Sequence, residues 1–160
     1  MLIGIISDTH DDVVMIKKAV DLFNEKKVGH VLHAGDIISP FNFEIFRELK
    51  CDFSAIFGNN DGDKLLLKTK SNGNIHNQPY MTTIHKRKIV ILHEPDLVDA
   101  LSESGLFDLI IYGHTHRPDV RKANKTTIVN PGKASRLIRG KITVAIIDLN
   151  TMEVEISELR

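Results

Sequence analysis

Residues 108–116 read DLIIYGHTH. An apolar run, Leu109-Ile110-Ile111-Tyr112, halts at Gly113 and gives way at once to two histidines. A continuous run of this kind suits a strand covered on both faces, as in sheets flanked by helices. The design recurs four more times. LIGIIS (2–7) precedes Asp8 and His10, and HVLHAG (30–35) precedes Asp36. FSAIFG (53–58) precedes Asn59 and Asn60, and KIVILH (88–93) ends in His93. In open α/β sheets the ligand site lies beyond the carboxyl ends of the strands, so these side chains are expected to converge. One Asp after a strand is ordinarily a turn or cap residue. A lone His such as His30, His33, His76 or His85 is ordinarily structural or exposed. The fivefold recurrence is what points to a site.

Between the runs lie helical patterns. In DDVVMIKKAVDLFNEKK (11–27), Val13, Ile16, Val20 and Phe23 recur at helical spacing, with Asp11 or Asp12 as N-cap. SPFNFEIFREL (39–49) offers Ser39 as cap and Pro40 at the first helical position, and PDLVDALSESG (95–105) resembles a third helix closed by Gly105. Strands alternating with helices give an α/β fold with right-handed crossovers. After residue 113 the pattern changes: DVRKA, TTIVN, ITVAIIDL and MEVEISEL, broken by NK, RG and NT turns, predict antiparallel strands and a mixed second sheet. Two sheets face to face with helices outside would bury both sets.

The 160 residues are one domain's worth, 1–160, with 42% hydrophobic and 26% charged residues, as in an ordinary soluble protein. Twenty-one basic and 21 acidic residues cancel, which argues against a nucleic-acid polymer or an acidic lipid surface as partner. The single Cys51 cannot form an internal disulfide and no CxxC is present, which fits a reducing compartment. No signal-peptide pattern opens the chain, and no apolar run approaches the ~20 residues of a membrane span. The expected setting is the cytoplasm, without a membrane partner.

The set Asp8-Thr9-His10, Gly35-Asp36, Gly58-Asn59-Asn60-Asp61, His93 and Gly113-His114-Thr115-His116, in that order, resembles the calcineurin-like metallophosphoesterase superfamily. Asn130-Pro131-Gly132 matches a further signature of that family. The compact spacing is closest to its small bacterial and archaeal phosphodiesterase branch, which is also similar to the vacuolar-sorting subunit of the retromer coat. The resemblance implies a four-layer α/β/β/α sandwich of two mixed sheets. It also implies two divalent metal ions per chain, one bound by Asp8, His10, Asp36 and His116, the other by Asp36, Asn59, His93 and His114. Independently of any family, this mixture of imidazole, carboxylate and amide suits Mn²⁺, Ni²⁺, Co²⁺, Fe²⁺ or Zn²⁺ better than Mg²⁺ or Ca²⁺, and Mn²⁺ is the expected occupant.

The activity so implied is hydrolysis of a small phosphodiester by a metal-bridging hydroxide. Two divalent ions bring four positive charges; Asp8, Asp36 and the hydroxide remove three. A neutral Asn59 preserves the remaining positive charge, which a carboxylate would cancel. Asn60 and Asp61 are the expected catalytic residues. Asn60 stands where many relatives carry a His thought to assist the leaving group, or else is a turn residue. Asp61 is expected to support the ligands from behind. Glu94 replaces a usual Gly and is either a solvated residue approaching the helix or a contact to metal or substrate. Lys133 follows the NPG turn where relatives often have Ser; it and Arg117 read equally as surface charges or phosphate contacts. The rival reading is a protein-binding scaffold whose metal site has degenerated, but here every ligand position is filled. A nuclease fits the chemistry but lacks the basic surface. A homodimer is common among compact enzymes.

Overall fold

The computed structural model describes residues 1–160. The chain runs β1 (Leu2–Ile6), α1 (Val13–Glu25), β2 (His30–His33), α2 (Phe43–Phe46), β3 (Asp52–Ile56), α3 (Lys64–Lys70), β4 (Ile75–His76) and β5 (Tyr80–Ile84). It continues through β6 (Arg87–Ile91), α4 (Val98–Glu103), β7 (Leu109–Ile111), β8 (Pro118–Ala123), β9 (Thr126–Pro131), β10 (Thr143–Asp148) and β11 (Glu153–Glu158). Short 3-10 turns at Pro40–Asn42 and Pro95–Leu97 lead into α2 and α4.

One sheet has the order β11-β10-β1-β2-β3-β4 and the other β5-β6-β7-β9-β8. In the first, β1 to β4 are parallel, while β10 and β11 are antiparallel to their neighbours. In the second, β6, β7 and β9 are parallel between antiparallel edges. Ile3, Ile5 and Leu32 from one sheet and Ile89, Ile91, Leu109, Ile111 and Val129 from the other form the central core, all with 0% exposure. Met15, Ala19 and Phe23 of α1 and Phe43 and Phe46 of α2 cover the outer face of the first sheet, joined by Leu67 of α3. Val98 covers Val90, Ile110 and Ile128 on the outer face of the second. The four layers are therefore helix, sheet, sheet, helix.

Local chemistry explains the elements. Asp12 caps α1 by accepting from the Met15 amide at 3.2 Å, and the helix buries Met15, Ile16, Ala19, Val20 and Phe23. Val13, expected on that face, is 53% exposed. The 39–49 and 95–105 patterns each become a 3-10 turn and a brief α-helix, because proline sets the first turn but the apolar stripe behind it is short. The last two strands do not join the second sheet. β10 returns to β1, with Ile147 opposite Ile3 and Ala145 opposite Ile5, which completes the central core. α3, β4 and β5 had no counterpart in the sequence expectations.

Parallel order brings the carboxyl ends of β1, β2 and β3 to one edge, and those of β6, β7 and β9 to the facing edge. Backbone bonds lace the loops beyond them. Asp8 N–H donates to Gly35 O at 3.0 Å, Gly113 N–H to His93 O at 3.1 Å and Ala134 N–H to Ser7 O at 3.0 Å. No helix is long and apolar enough to cross a membrane.

Candidate metal centre

All seven expected ligand residues meet in the cleft between the two edges, in one unbroken string. His116 Nε2 lies 3.2 Å from Asp8 Oδ1, which is 3.8 Å from His10 Nε2. His10 Nε2 is 3.6 Å from Asp36 Oδ2, and His93 Nε2 is 3.5 Å from the same oxygen. His93 Nε2 and His114 Nδ1 then approach Asn59 Oδ1 at 2.8 and 3.0 Å. Asp36 occupies the middle. Asp8, His10 and His116 form one group able to hold a metal ion, and Asp8, Asp36 and His93 a second. Asp8 Oδ1 and His10 Nε2 are buried without a hydrogen-bond partner. Buried polar atoms are ordinarily satisfied, so two adjacent orphans, a carboxylate oxygen and an imidazole nitrogen, are what a cation site presents. The donor set fits divalent transition ions.

Five of these seven residues sit at positive φ: Asp8 (53°), His10 (42°), Asp36 (61°), His114 (64°) and His116 (58°). Left-handed backbone costs a non-glycine residue about 1–2 kcal/mol, and such strain gathers at functional sites. It turns consecutive side chains inward at the ends of strands that would otherwise splay them. The glycines of the motifs have a different task, which is close approach. A Cβ on Gly58 would lie 2.2 Å from Asp36 Oδ1, and one on Gly113 would lie 2.1 Å from Ser7 Oγ and 2.8 Å from Asp8 Oδ2. Any side chain there would displace the Asp36 or Asp8 carboxylate.

A surrounding layer orients the string. Asp8 Oδ2 accepts from Ser7 Oγ at 2.6 Å and from the His114 amide at 3.1 Å, which turns Oδ1 toward the cleft. His93 Nδ1 contacts Ala34 O at 2.8 Å; a carbonyl only accepts, so the proton is on Nδ1 and Nε2 faces the cluster. His33 is buried behind it, accepting from Gly35 N–H at Nδ1 and meeting Thr9 Oγ1 through Nε2. Burial pushes His33 down to about 3, so it stays neutral. Asn130 of the NPG turn donates to Gly113 O and Thr115 Oγ1, fixing the GHTH loop. The sequence flags NPG and marks His33 as a structural or exposed histidine, but assigns Ser7 no part here, because its role depends on the Asp8 carboxylate beside it.

The electrostatics are those of an anionic cradle. Burial works against ionisation of Asp36, but His93 and the donors of Asn60 outweigh it and hold the carboxyl well below its usual range. Burial likewise opposes the Asp8 charge, and His10 and Ser7 overcome it. Burial disfavours the His93 cation, yet Asp36 and the Ala34 carbonyl raise it to about 9. His10 is raised by Asp8, while burial lowers His116. The carboxylates are ionised, and the imidazolium of His93 holds a position that a metal cation can take.

Asn60 is exposed, and both its donors reach Asp36: the backbone N–H to Oδ1 at 2.9 Å and Nδ2 to Oδ2 at 2.7 Å. Asp61 lies behind the string, not in it. Its Oδ2 accepts from Gly58 N–H (2.7 Å) and Asp36 N–H (3.0 Å), and its Oδ1 from Ile38 N–H (2.7 Å). Both its oxygens are occupied by backbone amides of the Asp36–Ile38 and Gly58 loops. Lys133 corrects both alternatives considered for it: it is fully buried, and its Nζ donates to Ser135 O at 2.6 Å and Gly140 O at 3.4 Å. It secures the loop before β10 and touches no ligand. Glu94 is half-buried and accepts from Gln78 Nε2, and Arg117 is exposed.

The model of the calcineurin-like phosphoesterase superfamily domain matches residues 1–152. A phosphodiesterase of Methanocaldococcus jannaschii is 35% identical over 159 residues, covering 96% of each chain. A probable metallophosphoesterase of Methanothermobacter thermautotrophicus is 31% identical over 170 residues, covering 98% of this chain and 91% of its own. Among solved structures, a novel archaeal phosphodiesterase superposes with a TM-score of 0.92 at 34% identity, covering 99% of this chain and all of its own. Zinc-complexed Vps29 of Entamoeba histolytica shares the fold, with a TM-score of 0.71 at 19% identity over 99% of this chain and 98% of its own. The chain belongs to the calcineurin-like phosphoesterase superfamily.

Proposed function

We propose that this superfamily member is a dinuclear metal-dependent phosphodiesterase acting on a small diester. One observation carries the reading: seven ligand-type side chains in a continuous string, with Asp36 central and the orphaned Asp8 Oδ1 and His10 Nε2 on one side of it. On this reading Asp8, His10, Asp36 and His116 hold one ion, and Asp36, Asn59, His93 and His114 the other. When bound, the two ions polarise the phosphoryl oxygens and lower the pKa of a water, with Mn²⁺ the expected occupant and Ni²⁺, Co²⁺, Fe²⁺ and Zn²⁺ alternatives.

The chain's own residues do the rest. Asp36 lies within reach of histidines on both sides and ties the halves together. Asn59 contributes an oxygen without charge, so the centre keeps an attraction for an anionic phosphate. Ser7, the His114 amide and the Ala34 carbonyl fix which atom of Asp8 and His93 faces the cleft. Asn60 presents an amide at the position of a leaving-group His; it donates a hydrogen bond but supplies no proton. A diester, with one negative charge, then suits the site better than a dianionic monoester.

The test is hydrolysis of bis(p-nitrophenyl) phosphate and p-nitrophenyl phosphate by metal-stripped protein, with Mn²⁺, Ni²⁺, Co²⁺, Zn²⁺ and Mg²⁺ added separately. The stripped protein should be inactive, Mn²⁺ or Ni²⁺ should restore turnover, and the diester should be preferred. Full activity in the stripped protein would overturn the reading.

A further inference from the structure

Beside the Asn59 end of the string lies a cleft of about 520 Å³, whose eight lining residues include a single apolar side chain, Phe57. Three segments build it: the turn after β3 and the start of α3 supply Phe57, Asn59 and Lys64, the link from β4 to β5 supplies Asn77 and Gln78, and Glu94 follows His93 directly. Gln78 is used at both ends. Its Oε1 accepts from the His93 amide at 2.6 Å, and its Nε2 donates to Glu94 Oε2. One carboxylate oxygen of Glu94 is thereby held in place, while the other has no hydrogen-bond partner and the side chain lines the cleft. The Lys64 ammonium lies 5.5 Å from the Phe57 ring centroid, and Asn77 is exposed.

Resting on the diesterase reading above, we infer that this cleft is the subsite for a hydroxyl-bearing substituent of the diester. The substrate class is then a ribosyl, nucleotide-like diester rather than an aryl or lipid one. A carboxylate only accepts hydrogen bonds. Next to the metal centre it repels a second anionic group, and an acyl chain would strip its water without replacement. Hydroxyl groups are neutral donors that satisfy it. The Asn77 amide adds a donor and an acceptor, so two adjacent hydroxyls find complementary partners. A carboxylate on a ribose hydroxyl is also how dinucleotide-binding folds hold their sugar. Lys64 adds a cation for the electron-rich groups of a base. Gln78 is the positioning residue that couples this wall to the backbone of His93.

The experiment compares uridine 5′-(p-nitrophenyl phosphate), its 2′,3′-dideoxy counterpart and methyl p-nitrophenyl phosphate, with Mn²⁺-loaded wild type, Glu94→Gln and Glu94→Ala. All three esters release the same leaving group, so the bond broken is constant. Calorimetric binding of uridine monophosphate and its 2′,3′-dideoxy form is measured alongside. A hydrogen bond to a charged group predicts that wild type favours the diol roughly 10- to 100-fold in kcat/KM, and that both variants collapse this ratio toward one. A wild-type ratio near one, or a ratio unchanged in Glu94→Gln, overturns the inference. So does an equal loss on all three esters, which would make Glu94 only an anchor for Gln78. Failure to hydrolyse any diester refutes the diesterase reading instead. The binding comparison then decides the subsite: a diol preference lost in Glu94→Gln supports it, and equal affinities sink it.

Discussion

Replacing Asp61 with Asn changes one atom in a carboxylate that holds two loops together. Asp61 Oδ2 serves Gly58 N–H and Asp36 N–H, and Oδ1 serves Ile38 N–H. An Asn oriented to keep the first pair turns its NH₂ on the third, donor against donor. The two retained bonds lose their charge, at roughly 1 kcal/mol together, and the Ile38 N–H is left unmet at roughly 1–2 kcal/mol more. Ile38 sits at φ 74°, a strained conformation for a β-branched residue, so it has a reason to relax once released. The expected loss is about 2–3 kcal/mol, or a fall in Tm of roughly 5–12 °C for a chain of this size. That leaves a folded protein, since stabilities run to ~5–15 kcal/mol. Relaxation of residues 36–38 moves Asp36, so affinity for the metal ions should fall about 10- to 100-fold, as for other groups that orient ligands. Thermal unfolding of metal-free protein and calorimetric Mn²⁺ titration read the two effects separately. A Tm within about 2 °C of wild type together with unchanged Mn²⁺ affinity would show that Asp61 does not hold these loops.

Asp36→Asn removes the charge at the centre of the string, so it should lose more activity and more bound metal than Asp61→Asn; equal losses, or unaltered metal content by elemental analysis, contradict its central role. Asn60→His supplies an acid where general-acid assistance is worth ~10²–10⁴ in rate, so the gain should be larger for poor leaving groups than for good ones. If wild type and variant give the same slope of log kcat/KM against leaving-group pKa, Asn60 does not stand in for the acid. The raised His93 pKa, about 9 in metal-free protein, stabilises the fold fully below the unfolded value near 6.5 and is lost as pH rises through 9. Metal-free protein should therefore have a lower Tm at pH 9.5 than at pH 6.5, with a smaller drop in His93→Gln; identical drops would place the titrating group elsewhere.

The central strands were legible because burial on both faces leaves little room for polar residues in runs such as KIVIL and DLII. The convergence of Asp8, His10, Asp36 and the histidines followed from parallel order alone. Other features have no signature in the chain. β4 is two residues long, and α3 follows an Asp63 cap with Leu65 81% exposed, so neither shows a periodicity. The apolar run in ITVAIIDL marks a strand but not its partner, and the pairing of β10 with β1 is settled by the fit of Ile147 and Ala145 against Ile3 and Ile5. Histidine is not glycine, so nothing in GHTH announces that His114 and His116 both adopt left-handed backbone. Lys133 defeats composition rules because its ammonium finds two carbonyls inside its own loop. Asp61 is expected behind the ligands, but its three amide partners, Gly58, Asp36 and Ile38, cannot be read from the chain.

The most direct measurement is an anomalous difference map from crystals of metal-stripped protein soaked in Mn²⁺. The account predicts two peaks roughly 3.5–4 Å apart, one among Asp8, His10 and His116 and the other among Asn59, His93 and His114, with Asp36 touching both. A single peak, or peaks away from Asp36, would contradict the dinuclear centre on which the proposed chemistry depends.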